Sequence, residues 1–207
     1  MKAAVVSEFG RIPEYTDFRD PVAGAGEILI KVHAAPLSPI VRGLALGRHY
    51  ASGVQAGFVP GVDGVGTDPD GRRVYFLFPK SPFGSMAEVS QVAQDMVVPI
   101  PDDIADGRAV AVVSGGLAAW IALTRRAPLQ PGSTILINGV TGAAGGMAVQ
   151  TARHFGARHI IGVGRNRHRL DALDLDTRIP LGEAADAALR AAFDRGVDRG
   201  RAKLTPS

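Results

Sequence analysis

The residues best suited to chemistry lie where an apolar run breaks into glycines: Ile135-Leu136-Ile137-Asn138-Gly139-Val140-Thr141-Gly142-Ala143-Ala144-Gly145-Gly146. The spacing G-x-x-G-x-x-G after a short apolar run reads as strand, tight turn and helix start. Glycines at such a turn let the backbone take positive φ, approach a pyrophosphate closely and aim free N–H groups and the positive helix end at it. The candidate contacts are Asn138, Gly139, Thr141, Gly142, Ala143, Ala144, Gly145 and Gly146. In a chain with 26 glycines, such a ladder alone is equally a flexible loop. Its surroundings argue otherwise. Thr134 to Ile137 form a β-rich run, Ala148, Ala152 and Phe155 follow at helical spacing, Gly156 offers a C-terminal cap, and His159 to Val163 return as a second apolar run. Together these make a βαβ unit.

An acidic residue about 20 positions past the motif would hold the ribose hydroxyls of NAD. None occurs between Gly142 and Leu170. The second strand ends instead in Gly164-Arg165-Asn166-Arg167, where guanidinium groups match the fork geometry of a ribose 2′-phosphate. Arg165 and Asn166 are therefore candidate cofactor contacts and NADPH is favoured over NADH. The plainer reading makes Arg165, Arg167 and Arg169 a solvated helix start.

The rest of the chain must position this turn. With 207 residues, 46% hydrophobic and 21% charged, it has material for one or two globular domains. The net charge of +3 is concentrated after residue 150, and no aromatic residues interleave with it, so it reads as a cofactor rim and not a nucleic-acid surface. There is no cysteine, which excludes disulfides and thiolate metal sites. No apolar segment reads as long enough to span a bilayer, the first residues do not read as a signal peptide, and a cytoplasmic location is expected. In the N-terminal half, Ile28, Ile30 and Val32 alternate with their neighbours, as do Val74, Phe76 and Phe78, between clusters of Pro and Gly. This predicts a small, irregular β domain with at most one short helix between His33 and Tyr50. A longer helix is expected over 106–126, ended by Pro128 and Pro131-Gly132. Trp120, inside it, reads as core.

The chain resembles the medium-chain dehydrogenase/reductases, in particular the zinc-independent quinone oxidoreductase and enoyl reductase branch. The resemblance covers about residues 1–197 and rests on Met1-Lys2-Ala3, Gly24 to Ile30, Arg42-Gly43 to Tyr50, Pro60-Gly61-Val62-Asp63-Gly64-Val65-Gly66, Phe83 to Glu88, and Pro131-Gly132 before the glycine ladder. It implies an α/β plus β architecture, a GroES-like β domain followed by a Rossmann doubly wound parallel sheet, with an active site in the cleft between them. Zinc relatives carry a Cys where Ser38 stands and Gly-His-Glu where Gly61-Val62-Asp63 stands, so no catalytic zinc is expected; His33, His49, His154, His159 and His168 read as scattered surface or helix-end residues. Without a Lewis acid, such an enzyme moves hydride from NADPH to a quinone or α,β-unsaturated carbonyl held in near-attack geometry. The resemblance places Tyr50 near the cleft as the candidate proton donor or clamp; a Tyr packing a loop against the β domain is the competing reading.

The expected domains are 1–124 (GroES-like), 125–198 (partial Rossmann) and 199–207 (polar tail). After an amphipathic helix over 183–193, another buried strand is expected of the family, but Arg199 to Ser207 hold no apolar run, as if the frame had shifted or stopped early. The strand at Thr134 to Asn138 would then be an exposed edge, open to homo-oligomer formation. Two functions stay open: an NADPH-dependent quinone or enone reductase, and a catalytically impaired remnant that only binds NADPH or a partner chain.

Overall fold

The computed structural model describes residues 1–49 and 55–181. Tyr50, the helix expected over 183–193 and the tail expected over 199–207 lie outside the described residues. Contacts divide the chain into two compact units, Met1–Ser114 and Gly115–Ser207, the division falling inside a helix.

The first unit is built on antiparallel strands. β1 (Lys2–Val5) pairs with β2 (Glu14–Asp17). A five-stranded sheet in the order β6-β3-β4-β5-β7 contains β3 (Glu27–Ala34), β4 (Asp63–Thr67), β5 (Arg73–Leu77), β6 (Val89–Ala93) and β7 (Val97–Pro99). The alternation in the sequence sorts side chains between two cores, one per face. Val74 and Phe76 join Ile30 and Val92, whereas Tyr75 joins Val65, Ala109 and Val110, the last two on helix α2 (Asp106–Ile121). The sheet is therefore covered on both sides, which explains the apolar residues at successive positions of β5. The one short helix, α1 (Pro39–Ala45), begins with proline at its first turn, where the missing N–H costs nothing. Phe78 departs from the expected alternation: β5 ends at Leu77, and Phe78 takes φ 51°.

The second unit holds a three-stranded parallel sheet, β10-β9-β8, from β8 (Thr134–Asn138), β9 (His159–Gly164) and β10 (Thr177–Pro180). Helix α3 (Ala143–His154) crosses from β8 to β9 and α4 (Arg167–Asp171) follows β9. Ile137, Val140, Val149, Ala152, Ile160 and Leu170 form the core between sheet and helices. The architecture is thus β followed by α/β, with a partial Rossmann sheet of which β8 is an edge among the described residues. Arg153 braces it: Nε lies 2.8 Å from Asp174 Oδ2 and Nη2 lies 2.8 Å from Asp176 Oδ2, while Asp176 also accepts from the Ile160 amide.

Two expectations need correction. α2 and the π-helical turn after it, Asp106–Arg126, make a helix long and apolar enough to cross a membrane by length and composition, because Ala, Val and Gly run through it with few charges. Trp120 is not core. It is 48% exposed, its ring 4.9 Å from Phe155 and 6.0 Å from His154 at the end of α3, an aromatic cluster at the surface.

Candidate functional site

The site begins with the turn between β8 and α3. Val140 is fully buried and its amide donates to the Val163 carbonyl of β9, so the turn is anchored to the neighbouring strand at one side chain and one hydrogen bond. Gly139 takes φ 72°, a conformation that a side chain would disfavour. A Cβ on Gly145 would lie 2.4 Å from the Gly139 carbonyl oxygen and 2.6 Å from Val140 Cα; helix and turn approach too closely for any side chain there. Gly142 is the N-cap of α3 and offers no side-chain cap, leaving the first-turn amides to a ligand or water. Gly142, Ala143 and Ala144 are exposed.

A pyrophosphate fits such a cradle. It needs close backbone approach, uncapped amides and the positive end of a helix, and the twelve-residue α3 supplies all three. Asn138, at the end of β8, is exposed beside it.

The parallel pairing sets Asn138 opposite Val163, so Arg165 and Asn166, just past β9, leave the sheet at the same end as the turn. Arg165 is exposed and has no ion-pair partner among the described residues. Asn166 is committed otherwise than expected: its Oδ1 accepts from the Arg169 amide at 3.0 Å and caps α4, as asparagine does at helix starts. Arg169 reaches back, its Nη1 3.5 Å from the Thr141 carbonyl, and Gly164 comes close to Thr141 across the turn. The link from arginine cluster to glycine turn escaped the sequence reading. Its only sequence signal was the run of arginines at 165, 167 and 169.

In the first unit, Asp63 is 2% exposed; its Oδ2 accepts from the Tyr75 hydroxyl at 2.8 Å and its Oδ1 has no partner among the described residues. Burial raises its carboxyl above the usual range, opposed by hydrogen bonds from Tyr75 and Ser114, and burial together with Asp63 pushes the Tyr75 phenol well up. Ser38 Oγ is likewise buried without a partner among the described residues. Among those residues no group of three or more His, Cys, Asp or Glu could hold a metal ion. His33 instead bridges Asp106 Oδ2 and Thr67 Oγ1, each at 3.1 Å.

The combination of an antiparallel β unit and a parallel βαβ unit with a glycine turn is the architecture of a two-domain nicotinamide oxidoreductase. No family model matches the chain. Similar curated proteins are "Probable NADPH-dependent quinone reductase tdiC" of Emericella nidulans, 31% identical over 206 residues, covering 84% of this chain and 58% of that protein, and "Quinone oxidoreductase" of Sus scrofa, 30% identical over 171 residues, covering 76% of this chain and 51% of that one. Among solved structures, the quinone oxidoreductase of Thermus thermophilus, whose structures include an NADPH complex, superposes with a TM-score of 0.78 at 29% identity, covering 93% of this chain and 64% of that one. The chain belongs to the medium-chain dehydrogenase/reductase family, with quinone oxidoreductases among its relatives. It spans between half and two thirds of their length.

Proposed function

We propose that this chain binds NADPH at the glycine turn and acts as a zinc-independent reductase of a quinone or α,β-unsaturated carbonyl. The observation that carries the reading is the forced closeness of Gly145 to Gly139, which opens main-chain amides of α3 to a pyrophosphate. When bound, NADPH supplies a hydride for an electron-poor carbon. The first-turn amides of α3 would hold the pyrophosphate, Arg165 the 2′-phosphate, and Arg169 the shape of the turn through its Thr141 contact. Tyr50 is proposed as the proton donor or clamp on the acceptor oxygen, on the family resemblance alone. The relatives' printed activities support the same reading.

A second reading, binding without turnover, is favoured by one observation. The parallel sheet stops at β8 among the described residues, while the relatives are much longer chains. In that reading the β8 edge seats a second copy or another partner chain. A cytoplasmic location is part of the same proposal.

The test is a pair of measurements on the full chain: NADPH binding by nucleotide fluorescence, and NADPH oxidation with menadione. Binding with turnover supports the reductase, binding without turnover the second reading, and absence of binding sinks both.

A further inference from the structure

Phe78 is the only described non-glycine residue with positive φ, at 51°. For a bulky side chain this is a strained conformation, of a kind that persists where the surroundings enforce it and that collects at ligand sites. The enforcing contact is present: the Phe78 amide donates to the Val62 carbonyl at 2.7 Å. Burial does not explain it, since Phe78 is 65% exposed. The chain thus spends backbone strain to hold an apolar ring toward water.

That ring lines a cavity of about 380 Å³ within the first unit, in the range of small-molecule sites. Its wall has a definite chemistry. Pro60, Pro79 and Pro82 contribute rigid surfaces without backbone donors, and Phe58 and Val62 extend them. No lining residue is charged, and Gln55 and Ser81 are the only lining side chains able to donate a hydrogen bond. Such a wall is unfavourable for a phosphate or carboxylate and suits a neutral, flat molecule carrying one or two carbonyl acceptors.

We propose that this cavity is the acceptor site and that Phe78 is its stacking platform, against which a planar conjugated ring lies while Gln55 or Ser81 donates to a carbonyl. The proposal rests on the reductase reading for the class of acceptor, but the binding it describes needs no cofactor.

The experiment titrates menadione into the full chain without nucleotide, by calorimetry, for the wild type, Phe78→Gly and Phe78→Tyr, with thermal midpoints measured on all three. Phe78→Gly removes both strain and ring, so its midpoint should hold or rise while menadione affinity falls about tenfold; Phe78→Tyr keeps the ring and should stay within about twofold. Cyclohexanone, which is not flat, should distinguish the variants by less than twofold. Menadione binding that is absent in the wild type, or equally tight in Phe78→Gly, overturns the assignment. If Phe78→Gly does not fold, methyl resonances decide: in the wild type those of Leu44 and Val62 should shift on titration and those of Ile160 and Val163 should not, and the opposite pattern overturns it. NADPH binding is measured on the same samples. Intact NADPH binding without menadione binding removes this cavity and leaves the reductase reading standing; Phe78-dependent menadione binding without NADPH binding does the reverse.

Discussion

The Gly139 carbonyl oxygen occupies the space that a β-carbon on Gly145 would need, 2.4 Å away. Helix propensity favours alanine over glycine by about 1 kcal/mol within a helix, so Gly145→Ala would stabilise α3 if propensity decided. Overpacking against main chain costs about 1–3 kcal/mol and leaves no flexible atom to move aside. The steric effect should win. We expect a lower thermal midpoint and loss of most NADPH affinity for Gly145→Ala. Gly107→Ala in α2, where a Cβ meets nothing within 4 Å, should hold or raise the midpoint. Calorimetry on both variants checks the contrast, and equal midpoints would remove the argument for a crowded turn.

Arg165 is exposed and has no ion-pair partner among the described residues, so its removal breaks no structural contact there. Arg165→Ala should therefore leave the thermal midpoint unchanged while weakening NADPH binding about tenfold, or about 1.4 kcal/mol. NADH lacks the 2′-phosphate and its affinity should change by less than twofold. Fluorescence titration with both nucleotides decides the matter. Equal losses would assign Arg165 a general electrostatic role.

How far these features were readable in the sequence depends on their range along the chain. The glycine turn, β8, α3 and β9 follow one another within about thirty residues, and their signals are local: periodicity, breakers and caps. The covering of β5 on both faces was not local, because Tyr75 needs Ala109 and Val110 from α2 to be buried. Trp120 was misread for the same reason; an apolar helix was taken as buried, whereas the ring lies at the surface beside Phe155. Phe78 looked like one more position in an alternating strand. Only the backbone shows that it has turned out of it. Tyr50 lies outside the described residues and stays on the resemblance alone.

Asp63 and Glu27 should oppose each other in the pH dependence of the first unit. The Asp63 carboxyl is raised from 3.8 by burial, so the folded chain holds its proton more tightly than the unfolded one. That contribution is complete below about 4 and is lost as pH rises through the folded value. Asp63→Asn, which cannot ionise, should gain stability relative to the wild type between pH 4 and 7. Thermal midpoints at the two ends measure it. A difference between variant and wild type that does not change with pH would mean that the carboxyl titrates normally.

Glu27 works in the other direction. Lys80 Nζ at 2.5 Å, the Gly24 amide at 2.7 Å and the Gln91 side-chain amide all donate to its carboxylate, and these bonds, Lys80 foremost, hold it at about 2 against 4.5 unperturbed. Stability from this cluster is present above about 4.5 and is lost as pH falls through 2. Glu27→Gln should therefore narrow the gap to the wild type as the solution is acidified from pH 5 to 2. A gap of constant size across that range would show that the cluster is not set by charge.

The β8 edge offers the last test, because its pairing groups face no strand among the described residues on that side. Edges of this kind recruit other chains, and a charge placed on the strand blocks them. A second copy related by a two-fold axis would pair β8 with β8 in antiparallel fashion, as isologous interfaces require. Thr134 is exposed at the start of the strand, so Thr134→Lys adds a charge without entering the core. In sedimentation equilibrium the wild type should show a mass that rises with concentration toward twice the monomer, and Thr134→Lys should weaken that association at least tenfold. A wild-type chain that stays monomeric throughout would leave the edge without this occupant.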